Sequence, residues 1–201
     1  MPQDLKRYRN SSLVSGKDFL TAIIAPISNG FEFFDTEDTL CTRGVVGYNV
    51  QVAVDTEHHL IVAHEVTNSG SDRAQLANMA KQAKAVLKTE TLEAVADRGY
   101  FSGPEILACH EAGITVTLPK PLTSGAKSDG RFGKQDFAYL PEEDAYRCPA
   151  GERLPYRFTS EEDDKMLRRY WTTACQNCAL KSQCTTEPER RITRWEHEHL
   201  L

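Results

Sequence analysis

The residue best placed to do chemistry is Asp97. It closes the short apolar run Leu92-Glu93-Ala94-Val95-Ala96 and is followed at once by Arg98-Gly99-Tyr100 and a helix start. A carboxylate at a strand end leaves the packed sheet and reaches the crevice where open α/β sheets hold their ligands. There it serves as a metal ligand or a general base. The plainer reading is that Asp97 only caps a turn, because Asp close to Gly is common turn chemistry.

A second set of reactive side chains lies late in the chain. Cys148 precedes the group Cys175-x2-Cys178-x5-Cys184. Two thiolates separated by two residues bind one metal ion from a tight knuckle, and four complete a tetrahedral zinc (Zn2+) shell. The frames Arg147-Cys148-Pro149-Ala150-Gly151 and Cys175-Gln176-Asn177-Cys178 read as such knuckles. The first half offers one cysteine rather than a pair, so free thiols or a redox pair are the alternatives. Cys41 and Cys109 lack partners of this kind and read as packing or surface residues. His58, His59 and His64 flank a hairpin, and His197-x-His199 lies in a polar tail; all read as structural.

Charge forms the third pattern. The net charge of −5 does not suggest a nucleic-acid binder, and Glu161-Glu162-Asp163-Asp164 reads as a solvated face. Between Lys165 and Arg194 the balance reverses. Lys165, Arg168, Arg169, Lys181, Arg190, Arg191 and Arg194 are set against only Glu187 and Glu189, a segment suited to phosphates.

The elements that must position these residues are legible from Val46 onward. Val46, Tyr48, Val50, Val52 and Val54 alternate with small or polar residues, the period-2 pattern of a half-buried strand. Asp55-Thr56-Glu57-His58 reads as a turn and Leu60 to Val66 as the returning strand. Ser71 or Asp72 then caps a helix, Asp72 with Gln75 forming a capping-box-like pair, and Leu76, Met79, Ala80, Ala83 and Leu87 share its face. Leu92 to Ala96 is the next strand. Ser102-Gly103-Pro104-Glu105 starts a helix that Gly113 ends, and Ile114 to Leu118 is a further strand. This order predicts a mixed sheet with flanking helices.

Residues 1–43 are the least readable part. Phe19 to Ile27 is moderately apolar, and Phe31-Glu32-Phe33-Phe34-Asp35 reads as a brief strand ending on an acid. Thr123 to Phe137 is rich in Gly, Ser and Lys and reads as a loop or linker before the cysteine-bearing region, which runs to Thr186.

With 201 residues, 40% hydrophobic and 26% charged, the chain fits one globular domain, or one domain carrying an insertion. No apolar run nears the roughly 20 residues of a membrane helix. The N-terminus lacks the apolar core of a signal peptide, so a reducing cytoplasm is expected, with thiols free or metal-bound.

Taken together, these segments resemble an insertion-sequence transposase of the DDE type. The resemblance rests on Gly44-Val45-Val46-Gly47-Tyr48-Asn49-Val50-Gln51-Val52-Ala53-Val54-Asp55, on His64-Glu65-Val66-Thr67-Asn68 with Ser71-Asp72-Arg73, and on Ala96-Asp97-Arg98-Gly99-Tyr100-Phe101-Ser102. The stretch from Cys148-Pro149-Ala150-Gly151 to Cys184-Thr185 and the segment Arg190-Arg191-Ile192-Thr193-Arg194-Trp195-Glu196 complete it. It implies the branch with a cysteine-rich insertion between the second and third acidic residues. The fold implied is α/β: an incomplete RNase H-like mixed sheet with flanking helices and a small zinc-ribbon-like insertion. The expected divisions are 1–43, atypical for the family; 44–122, the partial core; 123–186, linker and insertion; and 187–201, leading toward a catalytic helix.

In this family three carboxylates hold two divalent ions, usually magnesium (Mg2+), for in-line attack at a DNA phosphodiester. Asp97 matches the second carboxylate. The first normally lies in an Asp-Pro-Asp run before the Tyr-Asn-Val-Gln strand. That run is not present, and Asp35 is the candidate, with Asp38 nearby. Asp55 and Asp72 match family positions that are not metal ligands, and Asp72 is expected to cap its helix. The third, a Glu, belongs to a helix beyond the Arg-Trp-Glu segment and has no equivalent here; neither Glu196 nor Glu198 corresponds to it. The resemblance therefore implies a truncated, catalytically compromised transposase with DNA as its partner. Self-association or association with a full-length transposase is possible, and no membrane role is implied. The alternatives are a non-catalytic DNA-binding or transposase-interacting module, and an unrelated metal-dependent phosphohydrolase.

Overall fold

The computed structural model describes residues 48–121 and 125–201, together with the backbone of 21–27. The chain forms two units, Met1–Leu118 and Pro119–Leu201.

In the first unit the alternating segment forms β2 (Asn49–Asp55), which turns through the Asp55 carboxylate into β3 (Ile61–Thr67). Asp55 accepts from the backbone N–H groups of Glu57 (3.1 Å) and His58 (2.7 Å), satisfying the turn from within. β4 (Leu92–Ala96) and β5 (Ile114–Thr117) follow, each preceded by a helix. The strand at the centre is β1 (Thr21–Ile27), drawn from the stretch least readable in sequence. The sheet order is β3-β2-β1-β4-β5, antiparallel across β3, β2 and β1 and parallel across β1, β4 and β5. Proline is unusual in a central strand because it cannot donate to the ladder. Pro26 fits because the β4 pairing ends at Ile24↔Ala96, while the β2 pairing continues to Ile27↔Val50.

Helix α1 (Leu76–Leu87) buries Leu76, Ala77, Met79, Ala80 and Ala83, the i, i+3, i+4, i+7 stripe of a core-facing helix. Its small residues let it lie close over β1, β2 and β3. Helix α2 (Gly103–Glu111) carries Pro104 in its first turn and ends where Gly113 takes φ +66°. The two helices satisfy one another's ends. Glu105 of α2 accepts from the Ala77 N–H at the start of α1 (2.8 Å), and Lys84 of α1 donates to the Ala112 carbonyl at the end of α2. Each charge sits at the helix end whose dipole it complements.

One expectation is corrected here. Asp72 does not cap a helix. Ser71 accepts from the Arg73 N–H to open a 3-10 turn (Asp72–Ala74), and α1 begins only at Leu76. The Asp72 carboxylate is engaged elsewhere, as described below.

The second unit is a five-stranded antiparallel sheet in the order β10-β9-β8-β7-β6, comprising β6 (Ala138–Leu140), β7 (Ala145–Arg147), β8 (Arg153–Glu162), β9 (Lys165–Tyr170) and β10 (Ile192–Trp195). Asp163 and Asp164 form the two-residue turn between β8 and β9, both with positive φ, as a tight twisted hairpin requires. Phe137, Tyr146, Leu154, Tyr170 and Ile192 make the core, with Tyr139, Phe132, Cys148 and Cys184 packed on it. Residues 187–201, read as the basic and aromatic start of a segment leading toward a catalytic helix, contain the last strand of this sheet. Within it β10 pairs with β9 and buries Ile192 and Trp195 at its two ends.

Candidate functional site

Asp97 leaves the C-terminal end of β4 with extended backbone and an exposed side chain. Its Oδ1 accepts from the Gly99 N–H at 2.6 Å, so it caps the 3-10 turn Arg98–Tyr100. The turn reading and the functional reading of Asp97 are thus compatible: one oxygen holds the turn while the group stays open to solvent. A β-carbon at Gly99 would stand 3.0 Å from Asp97 Oδ1 and 3.7 Å from Asp72 Oδ2. The missing side chain lets both carboxylates converge on this spot.

Asp72 arrives from the β3–α1 connection. Its Oδ1 accepts from Asn49 Nδ2 at 2.7 Å and from Gln51 Nε2 at 2.6 Å. Gln51 is fully buried, and its oxygen accepts from the Tyr100 hydroxyl. A buried amide is costly unless both ends are paired, and here both are. Burial, reinforced by the negative charges of Asp72 and Asp97, pushes the Tyr100 hydroxyl well above its ordinary pKa, so it stays a donor. One polar network therefore joins the first strand motif (Asn49, Gln51), the loop motif (Asp72) and Tyr100, and the Asp97 carboxylate stands beside it, bonded to the Gly99 N–H.

The metal chemistry of two hard cations needs more carboxylate oxygens than this. Among the described residues no group of three or more His, Cys, Asp or Glu side chains is arranged to hold a metal ion. The sequence of β1, Thr-Ala-Ile-Ile-Ala-Pro-Ile, brings no acid beside β4. Asp35 and Asp38 lie outside the described residues. The carboxylates described here do not make a two-ion set.

In the second unit Cys148, Cys175, Cys178 and Cys184 line one small pocket with Phe137, Leu154 and Arg190. All four are free thiols. Gly151 N–H to the Cys148 carbonyl (2.9 Å) and Cys178 N–H to the Cys175 carbonyl (3.4 Å) close the two turns that present them. Burial pushes the Cys184 thiol up, against the pull of the Arg190 cation and together with the three neighbouring sulfurs. Cys41 lies outside the described residues, and Cys109 is a buried packing residue whose thiol is pushed up to about 12 by burial.

The arginines proposed from sequence do not act alike. Arg168 pairs with Asp144 at 3.1 Å, and Arg169 pairs with Glu162. Arg194 stacks on Tyr139 with its guanidinium 3.9 Å from the ring centroid. Arg190 lies over Phe137 and its Nε is buried without a hydrogen-bond partner. These four hold the sheet together. Lys181 lines the cysteine pocket. Arg191 is exposed and stacks on Trp171, as does Arg157, which the sequence reading did not single out. The signal available was the aromatic Trp171 directly after Arg168-Arg169-Tyr170.

A mixed α/β core that gathers these motifs around a strand-end carboxylate is what a nucleic-acid-processing enzyme of the transposase class presents. The family model for the transposase DDE domain matches residues 32–192, and the chain belongs to that family. The first unit is consistent with an incomplete RNase H-like transposase domain. No curated protein and no solved structure matches the chain. Among the described residues no helix is long and apolar enough to cross a membrane.

Proposed function

We propose that this chain engages DNA in insertion-sequence transposition, and that on its own it binds DNA without cutting or joining it. The observation that carries the reading is the network of Asn49, Gln51, Asp72 and Tyr100, beside which the exposed Asp97 carboxylate stands at the strand end. Asp97 is the residue assigned to the catalytic set. Among the described residues no carboxylate set for a Mg2+-dependent phosphodiester reaction is assembled around Asp97, and we read the chain as catalytically compromised on its own. The protein is assigned to the cytoplasm, where the DNA and a full-length transposase with which it can associate are found.

We assign the cysteine pocket to a structural Zn2+ ion that Cys148, Cys175, Cys178 and Cys184 would hold once drawn together, since as described they line one pocket without forming a metal-holding group. Support comes from four sulfurs around one pocket, two of them presented by tight turns. A bound ion would crosslink the loops at the edge of a small sheet. Arg191 and Lys181 are assigned to the DNA-contacting surface, whereas Arg168 and Arg169 are paired with acids and Arg190 and Arg194 are stacked on aromatic rings.

The test is an electrophoretic mobility shift with element-end DNA at several salt concentrations, run beside a nicking assay containing Mg2+. Binding that weakens steeply with salt, with no nicked product, is expected. Nicking or strand transfer that disappears in Asp97→Asn would overturn the claim of compromised catalysis. Absence of any DNA binding would overturn the reading itself. A non-catalytic module that acts on a full-length transposase is the second reading, favoured by the want of a carboxylate on β1; it gives the same shift, and a changed rate of nicking when this chain is added to full-length transposase distinguishes it.

A further inference from the structure

Trp171 follows β9, and two guanidiniums pack on its ring: Arg157 at 5.5 Å and Arg191 at 5.2 Å from the centroid. Phe158 meets the same ring edge-on, 5.8 Å between centroids at 77°. The placement is built into the backbone. Tyr156 pairs with Tyr170 and Phe158 with Arg169, so Arg157 is the extra residue of a β-bulge. Bulges re-aim side chains, and Arg157 Nε is fixed on the Trp171 carbonyl at 3.1 Å.

Two like charges held on one ring repel, and the ring quadrupole offsets this only in part. Three other arginines of this sheet are neutralised by acids: Arg153 by Glu143, Arg168 by Asp144 and Arg169 by Glu162. Among the described residues Arg157 and Arg191 have no carboxylate partner, and both are exposed. An anion is the complement this pair lacks. Beside it, Phe158 and Tyr156 are 49% and 41% exposed, a costly way to place aromatic rings unless something stacks on them. The acids Glu161 to Asp164 occupy the opposite, hairpin-turn end of β8 and β9, so a polyanion is favoured at the Trp171 end and repelled at the tip.

We propose that Arg157, Arg191, Trp171 and Phe158 form a binding platform for an unpaired DNA strand, the two guanidiniums taking backbone phosphates and Phe158 stacking on a base. The inference rests on DNA being the partner, and it names the surface and the strand form. Positive side chains tracking phosphates beside aromatic rings are the combination that binds single strands without regard to sequence.

The test is fluorescence anisotropy of the full chain with a labelled mixed-sequence single strand and with the matching duplex, each over a range of salt. Arg157→Gln and Arg191→Gln are expected to lower the single-strand salt slope by about 0.7 each. Phe158→Ala is expected to weaken single-strand binding by about fivefold or more and leave duplex binding unchanged. All three side chains are exposed, and circular dichroism checks that the variants fold. Unchanged slopes and affinities with duplex binding retained would overturn the platform and leave the DNA reading standing. Equal losses for duplex and single strand would overturn the assignment to unpaired DNA. No binding to either form by the unaltered chain would overturn both.

Discussion

The Tyr100 hydroxyl donates to the side-chain oxygen of Gln51, a contact between residues 49 positions apart that ties the turn after β4 to the middle of β2. Gln51 then passes its own N–H to Asp72 at 2.6 Å. In a buried setting each of these bonds polarises the next, so the pair acts as one unit. Tyr100→Phe is expected to destabilise the fold by about 1–3 kcal/mol, since it leaves a buried amide oxygen unpaired. Gln51→Leu should cost a similar amount, and the double variant less than the sum of both. Urea unfolding of the four proteins checks this. Strict additivity would mean that the two side chains do not communicate.

The carboxylate of Asp97 has two separable parts, a hydrogen bond to the Gly99 N–H and a charge offered to solvent. Asn keeps the first and removes the second. Asp97→Asn is therefore expected to change stability by no more than about 0.5 kcal/mol, whereas Asp97→Ala should cost about 1 kcal/mol through the lost cap. Thermal unfolding distinguishes them. If Asn is as damaging as Ala, the charge rather than the cap holds the turn.

Gly99→Ala tests the same corner from the other side. Its β-carbon would lie 3.0 Å from Asp97 Oδ1, tight enough that the carboxylate must give by a few tenths of an ångström and strain its bond to the Gly99 N–H. The expected result is a stability loss that Asp97→Asn does not relieve, because the amide is the same size. Full tolerance of Gly99→Ala would show that the carboxylate has other room.

The parts of the fold legible in sequence are those whose signal is local. β2, β3, α1, β4, α2 and β5 each carry their own periodicity or cap, and they appear within a residue or two of their expected bounds, except that α1 begins later and the described part of β2 begins at Asn49. β1 was not legible, because Thr21–Ile27 contains a proline and becomes a strand through its pairing with β2 and β4. The second sheet was hidden for a similar reason: β6 and β7 are three residues each, too short to show alternation. Asp97 stood out as a strand-end acid. The role of Asp72 did not, since its partners Asn49 and Gln51 lie 23 and 21 residues upstream and local spacing pointed to a cap instead. The arginines show the same limit. Their types suggested phosphate contacts, but only cross-strand register decides which are paired with Asp144 or Glu162 and which remain open.

Metal content is the direct check on the cysteine pocket. Native mass spectrometry is expected to find about one zinc ion per chain, and Cys178→Ser to remove it. Chelation should loosen the second unit, whose core includes Cys148 and Cys184 against Phe137, Leu154 and Tyr170. A chain free of metal whose unfolding curve is indifferent to chelator would show the thiols to be packing residues.

Asp144 gives the second unit a pH dependence of its own. Burial works to raise its carboxyl, but hydrogen bonds from Tyr170 (2.7 Å) and Tyr139 (2.9 Å) and the Arg168 cation outweigh it and hold the group below its ordinary value. A depressed carboxylate contributes stability that is fully present above the unfolded-state pKa of about 3.9 and is lost as pH falls through the lower folded value. Asp55 in the first unit is depressed as well, chiefly by the His58 N–H, so both units lose stability in the same acid range. They are distinguishable because both tryptophans, Trp171 and Trp195, lie in the second unit. Urea unfolding followed by tryptophan fluorescence should therefore weaken below about pH 4 in the unaltered chain. Asp144→Asn should be less stable at neutral pH and flatter across the acid range, with Asp55→Asn leaving the acid limb of this signal in place. An acid limb that survives Asp144→Asn would assign the dependence to another carboxylate of the second unit.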